Sequence, residues 1–157
     1  TVGDIGGGER GLVERLDPTV ADRADAVVGT GTNAAQYLHL AWTEMRSRHP
    51  NYDLALDYAN KALEAAAQPI VSPKNAKATL GTIIADLKNK PSKWTCMLGT
   101  AEQLIERLQN IWTAQYRHGE AAGPIPNVDP DTARAAIHDA VTLVEWFQAG
   151  LVRSSSP

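Results

Sequence analysis

The sequence holds one cysteine, Cys96, among 157 residues. No disulfide can form within the chain, and no C-x-x-C spacing marks a zinc or redox site, so a reducing interior is the expected setting. No apolar run reaches membrane-spanning length, and no signal-peptide core follows a basic stretch. A membrane partner is therefore not expected, and the cytoplasm is the expected location. Excess positive charge is also missing. Fifteen Lys and Arg stand against 18 Asp and Glu, a net charge of −3, so no global field draws in nucleic acid and any such contact needs a local patch. The four histidines, His39, His49, His118 and His138, fall in no H-E-x-x-H or other metal-ligand spacing. No G-x-S-x-G elbow is present, and Cys96 has no histidine near it in sequence. No metal, no cofactor and no serine or cysteine nucleophile is expected.

What the chain does have is helical periodicity. Its length suits one domain with a core that needs no staples. Residues 1–30 read as a glycine-rich flexible lead-in and a short helix, residues 31–153 as a helical bundle and 154–157 as a tail. Thr1 in place of an initiator Met admits a piece of a longer protein. From Asn33 to Arg48, residues Tyr37, Leu38, Ala41, Trp42 and Met45 recur at spacings of three and four, which is one apolar stripe. Leu56, Ala59, Leu63 and Ala66 form the seam of the next helix, flanked by Lys61 and Glu64. Residues 68–77, with two prolines, read as a loop. Leu80, Ile83, Ile84 and Leu87 mark a third helix. Ile105, Leu108, Ile111 and Trp112 mark a long fourth, spanning 98–116. Asp129-Pro130 opens the last by the cap-then-proline rule; it is expected to reach Val152, with Ile137, Ala140, Val141, Val144 and Phe147 inward. No strand is expected. The fold class is all-α, a bundle of four long helices with one or two short N-terminal ones.

Two Arg/His pairs and one basic patch carry what chemistry is legible. Arg117 and His118 are adjacent at the end of the long helix. Arg134 and His138 lie four apart, on one helix face. An arginine and a histidine suffice for metal-free RNA cleavage: imidazole takes the proton of a ribose 2′-hydroxyl, and guanidinium stabilises charge developing on the phosphate. The same residues also suit the last turn of any helix. Lys74, Lys77, Lys88, Lys90 and Lys93 face only Asp86 within residues 74–93. Such a cluster is either a solvated face or a phosphate-binding one. Trp94, read as lying in a loop beside Lys93, is the candidate platform for stacking a base.

The segments "ALDYANKALEAAAQPI", "KATLGTIIADLK" and "RHGEAAGPIPNVDPDTARAAIHDAVTLVEWF" resemble, in that order, the HEPN superfamily, above all its branches with an abortive-infection C-terminal type of domain. The shared elements are A-x-K-A-L-E with Lys61 and Glu64, then Thr79-Leu80-Gly81, then Arg117-His118-Gly119 after a long helix, and an alanine-rich final helix from Ala136 to Phe147. The resemblance spans residues 51–150. It implies an all-α bundle that forms a homodimer, a metal-independent ribonuclease site made of Arg117 and His118 from two subunits, and a place in anti-phage defence or a toxin–antitoxin pair. RNA, a cognate antitoxin or a larger defence complex would be its partners. The family commonly spaces its arginine and histidine by several residues; here they are adjacent. Arg107 precedes His118 by eleven residues, roughly 16 Å along a helix, too far to share a site within one chain. Two readings of Arg117 and His118 thus stand: a helix cap pairing with acids such as Glu120, or an RNA site at a dimer face. A non-catalytic helical dimerisation or interaction module is the alternative for the whole chain.

Overall fold

Five polar residues, Thr32, Asn51, Thr79, Thr100 and Asp129, each begin a helix by accepting a backbone N–H through the side chain. Their partners are Ala35, Leu54, Thr82, Gln103 and Thr132, at 3.0–3.3 Å. Each cap satisfies a donor that the first helical turn leaves unpaired. At Thr100 the exchange is mutual, because its own N–H donates to Gln103 Oε1 at 2.9 Å, the reciprocal pairing of a capping box. These helices are α1 (Asn33–Met45), α2 (Tyr52–Val71), α3 (Leu80–Asn89), α4 (Ala101–Gly119) and α5 (Pro130–Gln148). The computed structural model describes residues 32–119 and 128–155, with side chains described except at 115–119. The expected lead-in, 1–30, lies outside the described residues.

The apolar stripes meet as expected. Long helix α2 is the central element, packed against α1, α5, α3 and α4. Its Leu56, Ala59 and Leu63 are fully buried, facing a core that includes Leu38 and Trp42 of α1, Ile83 and Leu87 of α3, Leu108 and Ile111 of α4, and Ile137, Val144 and Phe147 of α5. Alanine is frequent on the inner faces (Ala35, Ala41, Ala55, Ala59, Ala62, Ala67, Ala140), and small side chains let helix axes approach closely. Gly81 has a similar reason. Trp112 of α4 lies over it so closely that a Cβ there would stand 2.9 Å from Trp112 Cζ2.

Several boundaries differ from the sequence expectation, among them both ends of α4, which spans Ala101–Gly119 rather than 98–116. Helix α1 stops at Met45, in a turn that leads to Pro50. Helix α2 runs through Pro69 to Val71 where a loop was expected. A proline costs a helix the bond from its own N–H, and here only two residues remain to be wound. The largest departure is a small sheet. Strand β1 (Trp94–Cys96), entered from a 3₁₀ turn at Pro91–Lys93, pairs antiparallel with β2 (Val152–Ser154). The last helix therefore ends at Gln148 rather than at Val152. Gly150, at φ +73°, supplies the left-handed turn. Its N–H donates to Phe147 O at 3.2 Å, and that of Leu151 to Trp146 O at 2.9 Å. This double bond pattern terminates a helix and throws the chain backwards, which sets Val152 against Cys96. Ser154, assigned to a tail by sequence, is a strand residue.

Candidate functional site

Three places concentrate polar chemistry, and the fold treats them differently. The first is the edge formed by α3 and its flanking turns. Lys74, Lys77, Lys88, Lys90 and Lys93 are all exposed, and among the described residues no carboxylate forms an ion pair with any of them. Their backbone is nonetheless well held. Ser72 Oγ donates to Asp86 Oδ2, tying the α2–α3 loop to α3. Two successive turns follow, Asn75 N–H to Ser72 O at 3.0 Å and Ala78 N–H to Asn75 O at 3.1 Å. Lys74 and Lys77 occupy that loop. Lys88 ends α3, and Lys90 and Lys93 sit in the turn beyond it. The ten-residue helix separates the two groups by about 15 Å. The lysines thus line an edge rather than form one cluster.

Trp94 does not stand in a loop. It belongs to β1 and is only 7% exposed, with Lys93 Nζ 5.1 Å from its ring centroid. Most of the ring is inside the core, and little is left for a base to stack upon.

The second place is a cleft of about 670 Å³ between α1, α2, the α2–α3 loop, the start of α3 and the end of α5. Lys61, Glu64, Ala65 and Gln68 present one face of α2 to it, as residues at spacings of three and four do. Lys77 and Thr79 enter from the loop, and Tyr37 from α1. Glu64 Oε2 accepts the N–H of Leu80 at 2.7 Å. The A-x-K-A-L-E and Thr79-Leu80-Gly81 elements are therefore in direct contact. Burial raises the Glu64 carboxyl above its ordinary range; the bond from Leu80 opposes this only in part. Lys61 Nζ lies 3.0 Å from Asp57, and that hydrogen bond raises the ammonium further above its usual range, so it remains charged. Sequence reading placed Lys61 and Glu64 as flanks of the α2 seam and Lys77 within the basic run. Nothing in their spacing tells that they share a cleft.

The third place is the seam between α4 and α5. Arg107 Nη2 is hydrogen-bonded and ion-paired to Asp139 Oδ1, and its guanidinium lies 4.8 Å from the Trp146 ring centroid. This cation is fastened across two helices. Leu98 and Trp146 also line the small cavity beside it.

The remaining expected residues fall as follows. Arg117 and His118 lie in the last turn of α4, whose helical backbone continues to Gly119; their side chains lie outside the described residues. Trp112, on Gly81, is six residues before His118, so that turn extends about 9 Å past the contact along the helix axis. Arg134 and His138 do not combine. Arg134 turns towards Asp131, at 3.9 Å, and the His138 ring packs against Trp42 at 5.6 Å between centroids. His39 and His49 are exposed. Burial, and then the charge of Glu102, push the Cys96 thiol up, which keeps it a protonated and poor nucleophile at neutral pH. Among the described residues no group of three or more His, Cys, Asp or Glu is placed to hold a metal ion, and no helix is long and apolar enough to cross a membrane.

No protein-family model, no curated protein and no solved structure matches this chain. The resemblance to HEPN proteins rests on the quoted motifs and their order.

Proposed function

We propose that this chain is a HEPN-like helical domain of a bacterial defence or toxin–antitoxin protein that binds RNA along the α3 edge. The observation that supports the reading best is the set of five exposed lysines without carboxylate partners among the described residues, on backbone that hydrogen bonds hold in place. Lysines already paired with carboxylates would have to break those pairs to meet phosphate. These do not, and each can release counterions from a bound strand. Cleavage, where it occurs, falls to His118 as general base and Arg117 as stabiliser of phosphate charge, without a metal and across a two-fold dimer. The negative pole of α4 favours cations in that turn. Single-stranded RNA incubated with purified protein in EDTA should be bound, and then cut. Absence of both binding and cutting over varied sequences would overturn the reading; binding without cutting would remove only the nuclease.

One specific observation favours a non-catalytic interaction module instead. Met97 is 50% exposed, Leu98 72% and Leu151 37%, and the Met97 N–H donates to Leu151 O at 2.9 Å. They adjoin on the surface beside the small sheet. Sedimentation distinguishes the two. A dimer that dissociates in Leu98→Glu and still binds RNA as a monomer assigns the apolar residues to assembly and the lysines to RNA.

A further inference from the structure

The cleft between α1, α2 and α3 has three properties that together point to a ligand. It is of small-molecule size, about 670 Å³, where binding cavities commonly measure about 300–1,000 Å³. Its lining includes Ala65, Ala66, Ala76 and Ala78, whose side chains are too short to fill it. Among the described residues its charged groups are the Lys61 and Lys77 ammonium groups and the Glu64 carboxylate, one of whose oxygens is already taken by Leu80 N–H, and Lys61 is also paired with Asp57. A mixed, alanine-lined hollow in which Lys77 has no carboxylate partner among the described residues suits an anion attached to a larger body.

A hydrogen bond joins two elements at the border of the cleft. Gln148 Nε2, at the end of α5, donates to Thr32 Oγ1, at the start of α1, at 2.9 Å, and both residues line the cavity. Lys77, by contrast, belongs both to the cleft and to the lysine-lined edge. A polyanion lying on that edge can therefore enter the cleft with its end.

We infer that the cleft seats a terminal phosphate, a phosphomonoester held by Lys61 and Lys77, at the end of a strand bound along the α3 edge. This rests on the RNA-binding reading above and adds a preference to it. A phosphomonoester carries nearly two negative charges at neutral pH, a bridging phosphodiester one. Two ammonium groups lining one cleft thus attract the end more strongly than the interior of a strand. Lys61 is 45% exposed and Lys77 is exposed, so both can swing to a ligand. Asp57 holds Lys61 only by a surface pair, and such pairs contribute little. The same chemistry could come from a free sugar phosphate, which the experiment separates.

The test compares one single-stranded RNA sequence in three forms: 5′-phosphorylated, 3′-phosphorylated and hydroxyl at both ends. Ribose 5-phosphate serves as the free source. Binding is followed by fluorescence anisotropy of an internally labelled strand, and the sugar phosphate is followed by calorimetry. One phosphorylated form should bind about tenfold more tightly than the hydroxyl form. Lys61→Gln together with Lys77→Gln should erase that preference. So should Ala76→Trp, which fills the cleft from an exposed loop position and removes no charge. Arg48→Gln, in the turn after α1, should preserve it. Circular dichroism of each variant shows that the helices persist. Equal binding of all three strands would overturn the inference and leave RNA binding intact. If no strand binds but ribose 5-phosphate does, in a manner sensitive to Lys61 and Lys77, the phosphate site stands and the RNA reading falls. Binding of neither would remove both.

Discussion

Arg107 and Lys77 are both cations near the surface of a helical bundle, yet the fold spends them in opposite ways. Arg107 is clamped to Asp139 and stacked on Trp146, so that its charge and its plane join α4 to α5. Lys77 stands on an ordered loop with no carboxylate paired to it among the described residues. A neutralised cation stabilises; an unneutralised one on held backbone is available to a ligand. The α4–α5 seam and the α3 edge should therefore respond differently to substitution, the seam in stability and the edge in binding.

The largest effect is expected at neither region but at the end of α4. If the protein cleaves RNA, His118→Ala should lower the rate by about 10²–10⁴-fold, the range for a lost general base. Melting should be unchanged and EDTA without effect. His138→Ala, whose ring packs on Trp42, should cut at nearly the wild-type rate. Cleavage lost with His138 and kept without His118 would mean that the other pair does the chemistry.

Next in size comes the core that carries both regions. Leu63→Ala, at a fully buried α2 position, should cost about 2–5 kcal/mol in denaturant unfolding. A cost under about half a kcal/mol would show a surface position. Within the seam, Arg107→Ala should lose about 1–2 kcal/mol, because it removes a guanidinium–ring contact and strips a half-buried carboxylate of its partner. RNA affinity should hold. A variant as stable as the parent but weaker in RNA binding would reverse the roles given to Arg107 and the lysines.

The smallest effect lies in the cleft and depends on pH. Burial raises the folded-state Glu64 carboxyl above the ordinary value of 4.5, so the folded chain holds that proton more tightly than the unfolded one. The stabilisation this gives is complete below the ordinary value and is lost as pH rises through the raised one. Glu64→Gln keeps an acceptor for Leu80 N–H but has nothing to ionise. The melting temperature of the variant relative to the parent should accordingly be higher at pH 7 than at pH 4. A variant that loses ground at pH 7 would show that the ionised carboxylate is the better cap for α3.

These contrasts were only partly legible in the sequence. The helical class and the inward residues of the five described helices follow from apolar spacing, because burial of one helix face is a local, periodic demand. The sheet was not legible. Its three-residue strands are too short to show alternation, and Leu151 and Val152 read as a continuation of the α5 stripe. Gly150 was the available signal, since a glycine just past an apolar stripe is where helices commonly turn back. Pro69 misled in the other direction: the helix continues two residues past it despite the bond that its missing N–H cannot make. The cleft was illegible for a different reason. Lys61, Glu64, Lys77 and Thr79 come from separate segments, and only the packing of α3 on α2 brings them together. The fastened state of Arg107 likewise depends on Asp139 and Trp146, 32 and 39 positions further along the chain.

The proposal that the α3 edge holds RNA by its exposed lysines is tested most directly by the salt dependence of binding. The logarithm of affinity for a single-stranded RNA should fall with the logarithm of salt concentration at a slope of about −3, the value for four to five neutralised phosphates. Each Lys→Gln at 74, 77, 88, 90 and 93 should reduce that slope by about 0.7 while the melting temperature stays put. A slope near zero, or one unchanged when all five are replaced, would contradict the claim.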